Sequence, residues 1–302
     1  MRKVLKWLGI ILGVLVALII VVVIVGTVRA NSMLTKEWDY AAETLVVPTD
    51  AESVARGEDL IQHWMLCADC HGADLSGGVM IDDPSFATLY APNLTSGAGG
   101  IGAAYTDADW LRALRHGIRP NGENLIIMPA EFYTLVASDE IVQMIAYLKT
   151  LPPVDNQIPE RTLAFMPKVM IGLGVIPIAD LVPAYKIDHA LVTDPAPPRG
   201  VTVEFGDYRA TTCKACHGEN LAGAPEDVEN GFPATPNLTA GGELAAWTEA
   251  DFLTTLQTGV TPTGHELDPL GMPWERIGAA DVDDLRAIWL YLQSLPATPT
   301  NQ

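Results

Sequence analysis

Basic residues are scarce. Lysine and arginine number 18 against 37 aspartates and glutamates, a formal net charge of −19, which excludes a nucleic-acid binder by charge. Five of the basic residues (Arg2, Lys3, Lys6, Arg29 and Lys36) fall within 1–36, a segment without acid, so 37–302 holds 13 basic against 37 acidic groups and carries −24. Such a surplus keeps a domain soluble. It also suits a partner with a basic docking surface, because complementary fields raise association rates. Strand-like alternation of any length is lacking, which argues against a sheet architecture. Apolar runs long enough to cross a bilayer are limited to one.

That run is Trp7 to Val28, 22 residues without a charge. At about 1.5 Å per residue it spans roughly 33 Å, enough for a bilayer core. A cleaved signal peptide has an apolar region of about 7–15 residues, so the length favours an uncleaved signal anchor, although Val28-Arg29-Ala30 offers a weak cleavage-like site. The basic residues ahead of the run place the N-terminus in the cytoplasm and the rest of the chain outside, on the periplasmic side of the inner membrane. The stretch Phe165–Val182 is also apolar, but Pro167, Lys168, Pro177 and Asp180 interrupt it, and it reads as a buried or interfacial linker.

The rest of the chain repeats itself. CADCHGADLSGG (Cys67–Gly78) returns as CKACHGENLAGA (Cys213–Ala224), and APNLTSG (Ala91–Gly97) as TPNLTAG (Thr235–Gly241). YTDADWLRALRHGIRPNG (Tyr105–Gly122) returns as WTEADFLTTLQTGVTPTG (Trp247–Gly264), Met128-Pro129 as Met272-Pro273, and YLKTLPP (Tyr147–Pro153) as YLQSLPA (Tyr291–Ala297). We therefore divide the chain into a signal anchor at 1–36 (span 7–28), a linker at 37–47, a first domain at 48–154, a linker at 155–199, a second domain at 200–297 and a tail at 298–302.

Within each copy the elements read as helices. Thr106 with Asp109, and Thr248 with Asp251, form capping-box patterns. Trp110, Leu111, Leu114 and Ile118, and their counterparts Phe252, Leu253, Leu256 and Val260, follow helical spacing. A later helix uses Ile141, Met144, Ile145 and Leu148, matched by Leu285, Ile288, Trp289 and Leu292 with Asp281 as N-cap, and Pro152 and Pro296 close the pair. The fold class is all-α: an N-terminal transmembrane helix followed by two small tandem helical domains. So little regular structure in about 100 residues calls for a further source of stability.

The cysteines supply one. All four lie in two C-x-x-C-H pentapeptides, Cys67, Cys70 and His71, then Cys213, Cys216 and His217. This is the signature of covalent c-type haem attachment, with the thiols added to the two vinyl groups and the histidine as axial ligand to iron. A redox dithiol, a four-cysteine zinc site or a disulfide staple would each leave both histidines unexplained. For the sixth ligand, Met128 follows His71 by 57 residues and Met272 follows His217 by 55, each in a Met-Pro dipeptide that biases the methionine towards extended backbone. Met166-Pro167 shows that the dipeptide alone is weak; the matched positions carry the assignment. His116, His265, His63 and His189 are rivals outside the shared plan, His116 suiting a helix C-terminus. His/Met ligation raises a haem's potential and closes both axial positions, favouring electron transfer over catalysis at iron.

At this point each repeat resembles a class I cytochrome c domain. The series C-x-x-C-H, PNLT, W/F-x-x-x-L, Met-Pro and YL-x-x-LP is similar to the haem domains of cytochrome subunits of membrane-bound alcohol, aldehyde and gluconate dehydrogenases, which usually carry three such domains where this chain has two. An anchor followed by two haem domains also resembles the two-haem subunit of high-affinity haem–copper oxidases. The resemblance covers about residues 50–297. It implies two covalent c-type haems and a dehydrogenase, an oxidase or a soluble carrier as redox partner, with the bilayer as the site of anchoring. It also implies that Pro92 and Pro236 offer carbonyls to the proximal histidines; the competing reading is that these prolines only turn the chain. Asn93-Leu-Thr95 and Asn237-Leu-Thr239 match glycosylation acceptors, but their place in the repeat points to wrapping haem. The leading expectation is an electron-transfer protein without substrate chemistry. The alternatives are a dihaem peroxidase with one open haem and a haem-based sensor.

Overall fold

Nothing between Trp7 and Val28 interrupts a helix, and one helix, α1 (Arg2–Leu34), runs through the whole stretch and two turns beyond it. The computed structural model describes residues 2–40, 44–226 and 233–301. Among them α1 is the one helix long and apolar enough to cross a membrane. The chain is mostly helical: α2 (Ala51–Asp59), a π-helical turn (Leu60–Trp64), α3 (Cys67–His71), α4 (Asp107–His116), α5 (Ala130–Tyr133), α6 (Ser138–Leu148), α7 (Phe165–Leu173), α8 (Ile178–Leu181), α9 (Val203–His217), α10 (Glu249–Thr258), α11 (Trp274–Ile277) and α12 (Val282–Ser294), with short 3-10 turns at Pro183–Tyr185 and Glu243–Ala246.

The local signals act as anticipated. Thr106 and Asp109 close a full capping box on α4, Thr248 and Asp251 close one on α10, and Gly117 and Gly259 end these helices in the left-handed region. The Asp281 side chain accepts from Asp283 N–H at the start of α12.

The expected absence of strands is corrected. β1 (Gly78–Asp83) and β2 (Ala87–Ala91) form an antiparallel hairpin, which β3 (Thr162–Leu163) extends at the other side of β2. β2 does alternate, with Ala87, Leu89 and Ala91 buried. Small alanines at two of the three inward positions hide the pattern from a reading that looks for large apolar residues. The apolar part of the 155–199 linker also has structure of its own, in β3, α7 and α8.

Two compact units form, and their limits cross those of the sequence repeat. One comprises 1–47, 69–136 and 148–193; the other comprises 48–68, 137–147 and 194–302. In the second unit α2 meets α6 and α9 meets α12 by the same device. A Cβ on Gly57 would lie 1.9 Å from the Gln143 carbonyl oxygen, and one on Gly206 2.0 Å from that of Ala287. Only glycine allows backbones so close. From this contact the copies diverge. Gly57 stands 10 residues before Cys67, Gly206 only 7 before Cys213. The longer copy takes up its extra residues as the π-helical turn, while α9 runs unbroken into the second pentapeptide.

Candidate functional site

Each pentapeptide ends a helix, α3 or α9, so the cysteine pair and histidine share a helical geometry that the following loop then fixes. In the first unit Gly77 N–H donates to the His71 carbonyl (2.7 Å), Leu75 N–H to Gly72 (3.0 Å) and Leu94 N–H to Leu75 (2.9 Å). In the second unit Gly223 donates to His217 (2.9 Å), Leu221 to Gly218 (2.9 Å) and Leu238 to Leu221 (2.8 Å). Leu75 and Leu221, both fully buried, are held at φ 59° and 56°. A left-handed leucine costs free energy and persists only where its surroundings over-determine it.

The loop delivers a carbonyl to each histidine. His71 Nδ1 lies 2.9 Å from the Pro92 oxygen, and His217 Nδ1 2.9 Å from the Pro236 oxygen. A carbonyl can only accept, so the proton sits on Nδ1 and the Nε2 lone pair is left available. Burial depresses both imidazole pKa values, the carbonyl bond opposing it, which keeps both rings neutral. A neutral imidazole with Nδ1 tied to a carbonyl is the form that ligates a metal through Nε2.

Next to the prolines, the PNLT segments are structural anchors. Asn93 Nδ2 donates to the Val154 carbonyl (2.8 Å), while its Oδ1 accepts from Thr95 N–H (2.9 Å) and Thr95 Oγ1 (2.8 Å). Asn237 Nδ2 donates to the Thr298 carbonyl (2.8 Å), and its Oδ1 accepts from Thr239 N–H (2.8 Å) and Oγ1 (2.7 Å). Both asparagines are buried, leaving no room for a sugar.

Cys67, Cys70 and Cys213 are half-buried and Cys216 exposed, and none is in a disulfide. Burial pushes the Cys213 thiol up to about 11, with the neighbouring Cys216 adding to it, and raises the Cys70 thiol as well, Asp69 adding there. A redox C-x-x-C dithiol works through a lowered pKa, and these two thiols move the other way.

Met128 and Met272 are half-buried and sit at the same kind of turn. Ala130 N–H donates back to the Met128 carbonyl (2.8 Å) across Pro129 (φ −80°, ψ 57°), and Trp274 N–H to the Met272 carbonyl (2.7 Å) across Pro273 (φ −75°, ψ 54°). These are inverse γ-turns, each opening a short helix, α5 or α11. The third Met-Pro, Met166-Pro167, lies instead inside α7. Ile127 at φ 67° holds the backbone ahead of Met128 in a conformation unusual for a β-branched residue.

The residues thus fit two haems: in each copy a thiol pair, a histidine with its second nitrogen tied down and a methionine fixed by a turn. Sequence reasoning missed the left-handed leucines and the glycine contacts, since no residue type signals them. Of the rival histidines, His116 does end α4, but it is buried with its Nδ1 3.1 Å from Nδ1 of His189, against the ring of Tyr40.

The stretch 207–296 is a cytochrome c domain: it matches the family model described as Cytochrome c. The chain is homologous to cytochrome c subunits of dehydrogenases and to a diheme cytochrome. It is 31% identical over 76% of its length to the fructose dehydrogenase cytochrome subunit of Gluconobacter japonicus, covering 50% of that protein. It is 29% identical over 78% of its length to the cytochrome c subunit of the quinone alcohol dehydrogenase of Gluconacetobacter polyoxogenes, covering 54% of it. The diheme cytochrome c-type protein of Cereibacter sphaeroides is 28% identical over 76% of this chain and is covered over 82% of its own length. The chain therefore spans about half the length of the two dehydrogenase subunits.

Proposed function

We propose that this chain is a membrane-anchored dihaem cytochrome c that carries electrons for a dehydrogenase on the periplasmic side of the inner membrane. The observation that carries the proposal is the paired Nδ1–carbonyl bond of His71 to Pro92 and of His217 to Pro236, each directly after a C-x-x-C-H helix. Cys67, Cys70, Cys213 and Cys216 would hold the two groups covalently, and His71 with Met128, and His217 with Met272, would ligate iron. The haem irons supply reversible one-electron chemistry when bound. The protein's own share would be to hold His71 and Met128, and His217 and Met272, in fixed positions and to keep other ligands out. Pro92 and Pro236 fix the imidazole orientation and raise its donor strength. The repeat limits 48–154 and 200–297 are the two haem-binding domains in this reading, and α1 is the anchor, with its N-terminus cytoplasmic.

Names of the relatives support a dehydrogenase as electron donor, and the acidic soluble portion suits a basic docking surface on it or on the acceptor. The test is a count and a titration. Two covalent haems per purified chain are expected, and Met128→His or Met272→His should each lower one potential and leave the other nearly in place. A single haem per chain, or potentials that ignore both substitutions, would refute the assignment. Rapid stoichiometric carbon monoxide binding at one reduced haem would point to the peroxidase alternative.

A further inference from the structure

The apolar helix α7 is only partly covered by the rest of its unit. It packs on α1 in the first unit. A Cβ on Gly172 would lie 1.7 Å from the Gly26 carbonyl oxygen, and one on Gly26 would meet the Val169 carbonyl at 3.1 Å and Leu173 at 3.3 Å. Val169, Ile171 and Gly172 of α7 are buried, as are Gly26 and Ala30 of α1. Backbone-to-backbone contact through small residues is how helices associate where solvent offers no hydrophobic drive, that is, in lipid.

Much of its apolar surface nevertheless stays bare. Phe165 is 55% exposed, Met166 59%, Leu173 41% and, just past the helix, Val175 64%. In water that is a costly cluster for so short a segment. Its position explains it. Gly26 lies just inside the end of the apolar run, ahead of Arg29, and around it Val22, Ile24 and Val25 are as exposed as the rest of the span. The exposed apolar side chains of α7 thus belong to an element packed on the apolar run of α1. Nine residues make a helix of about 14 Å, too short to cross a bilayer of roughly 30 Å. Its one charge is Lys168, half-buried on a flexible stem that can reach headgroup phosphates.

We infer that α7 is embedded in the outer-leaflet surface of the bilayer beside the anchor, with Phe165, Met166, Leu173 and Val175 among the acyl chains. The inference rests on α1 spanning the membrane. The haem-bearing part of the chain is then held to the membrane at two contiguous points, and α7 limits rotation about the α1 axis.

The test uses the full haem-loaded chain in vesicles of phosphatidylcholine and phosphatidylglycerol. Cysteine is introduced at Phe165, Met166 or Val175, and at Val16 and Leu270 for reference, then labelled with a nitroxide. Haem occupies the native thiols, so one label per chain is expected; several labels per chain would contradict haem attachment itself. Collision rates with oxygen and with a water-soluble nickel complex are read by electron paramagnetic resonance. Oxygen should dominate several-fold at all three α7 positions, as at Val16, and nickel should dominate at Leu270. Nickel dominance at the α7 positions with oxygen dominance at Val16 overturns the inference and keeps the anchor. Low access to both reagents means that protein, a partner or a second copy, covers α7, and also overturns it. Nickel dominance at Val16 overturns anchor and inference together.

Discussion

Arg209 and Glu140 form a buried ion pair, although they stand 69 residues apart and belong to different copies of the sequence repeat. Both are almost fully buried within the second compact unit. Glu140 also accepts from Arg56 Nη2 (3.0 Å) and Tyr208 Oη (2.7 Å). Arg56 turns its other nitrogen to Asp284 (2.9 Å), which Arg199 also meets (2.7 Å). The Arg209 guanidinium lies over the rings of Trp64 (5.2 Å), Phe205 (5.4 Å) and Tyr208 (5.2 Å). Glu140→Ala should therefore destabilise the protein by about 3–5 kcal/mol, because it strands a buried cation. Denaturant unfolding of the haem-loaded protein measures the loss, and a cost under about 1 kcal/mol would mean that solvent reaches the cluster.

The same cluster sets an acid limit. Burial alone would raise the Glu140 pKa, but Arg209, Arg56 and the Tyr208 hydrogen bond outweigh it and leave it lowered from 4.5. A carboxylate with a lowered folded pKa stabilises above its unfolded value and loses that contribution as pH falls through the folded one. Stability should drop below about pH 4.5, and Glu140→Gln should flatten that part of the curve. Thermal midpoints over pH 2–6 check it.

A second acid-sensitive point lies at His116. Burial, then His189, Arg115 and Arg112, depress its pKa from 6.5 to about 4. The unfolded chain thus binds more protons between these values, so stability present above pH 6.5 should fade down to about 4. His116→Gln should lose the slope between pH 4 and 6.5 while retaining that below it. An unchanged slope would assign it elsewhere.

Gly57→Ala and Gly206→Ala should each cost more than about 2 kcal/mol, since the added methyl meets backbone that cannot turn aside. Gly264→Ala, with open space around it, should lose only the cost of its positive φ. Comparing unfolding midpoints of the three separates close approach from backbone strain.

Asn93→Ala and Asn237→Ala each strand one buried N–H, that of Thr95 or Thr239, at about 1–3 kcal/mol apiece. Mass spectrometry of protein made in a glycosylating host should find neither site modified.

What the sequence disclosed was whatever depends on near neighbours. The capping boxes at Thr106 and Thr248, the apolar span and the C-x-x-C-H pairs all lie within a few residues of their partners. The inverse γ-turn at each Met-Pro was half legible, through the proline. Partners chosen across the chain were not. Nothing near Glu140 announces Arg209, and nothing near Gly57 announces Gln143. The β1–β2 hairpin escaped because alanine at two inward positions carries little pattern. The pairing of His116 with His189 escaped because a lone histidine at a helix end is satisfied by the dipole alone.

The second compact unit is assembled from three separated stretches, 48–68, 137–147 and 194–302. Domains usually close one after another as a chain emerges from the ribosome. Here α2 and α6 can complete their unit only once α9 and α12 have been made, so the two units cannot close strictly in the order in which the chain is synthesised.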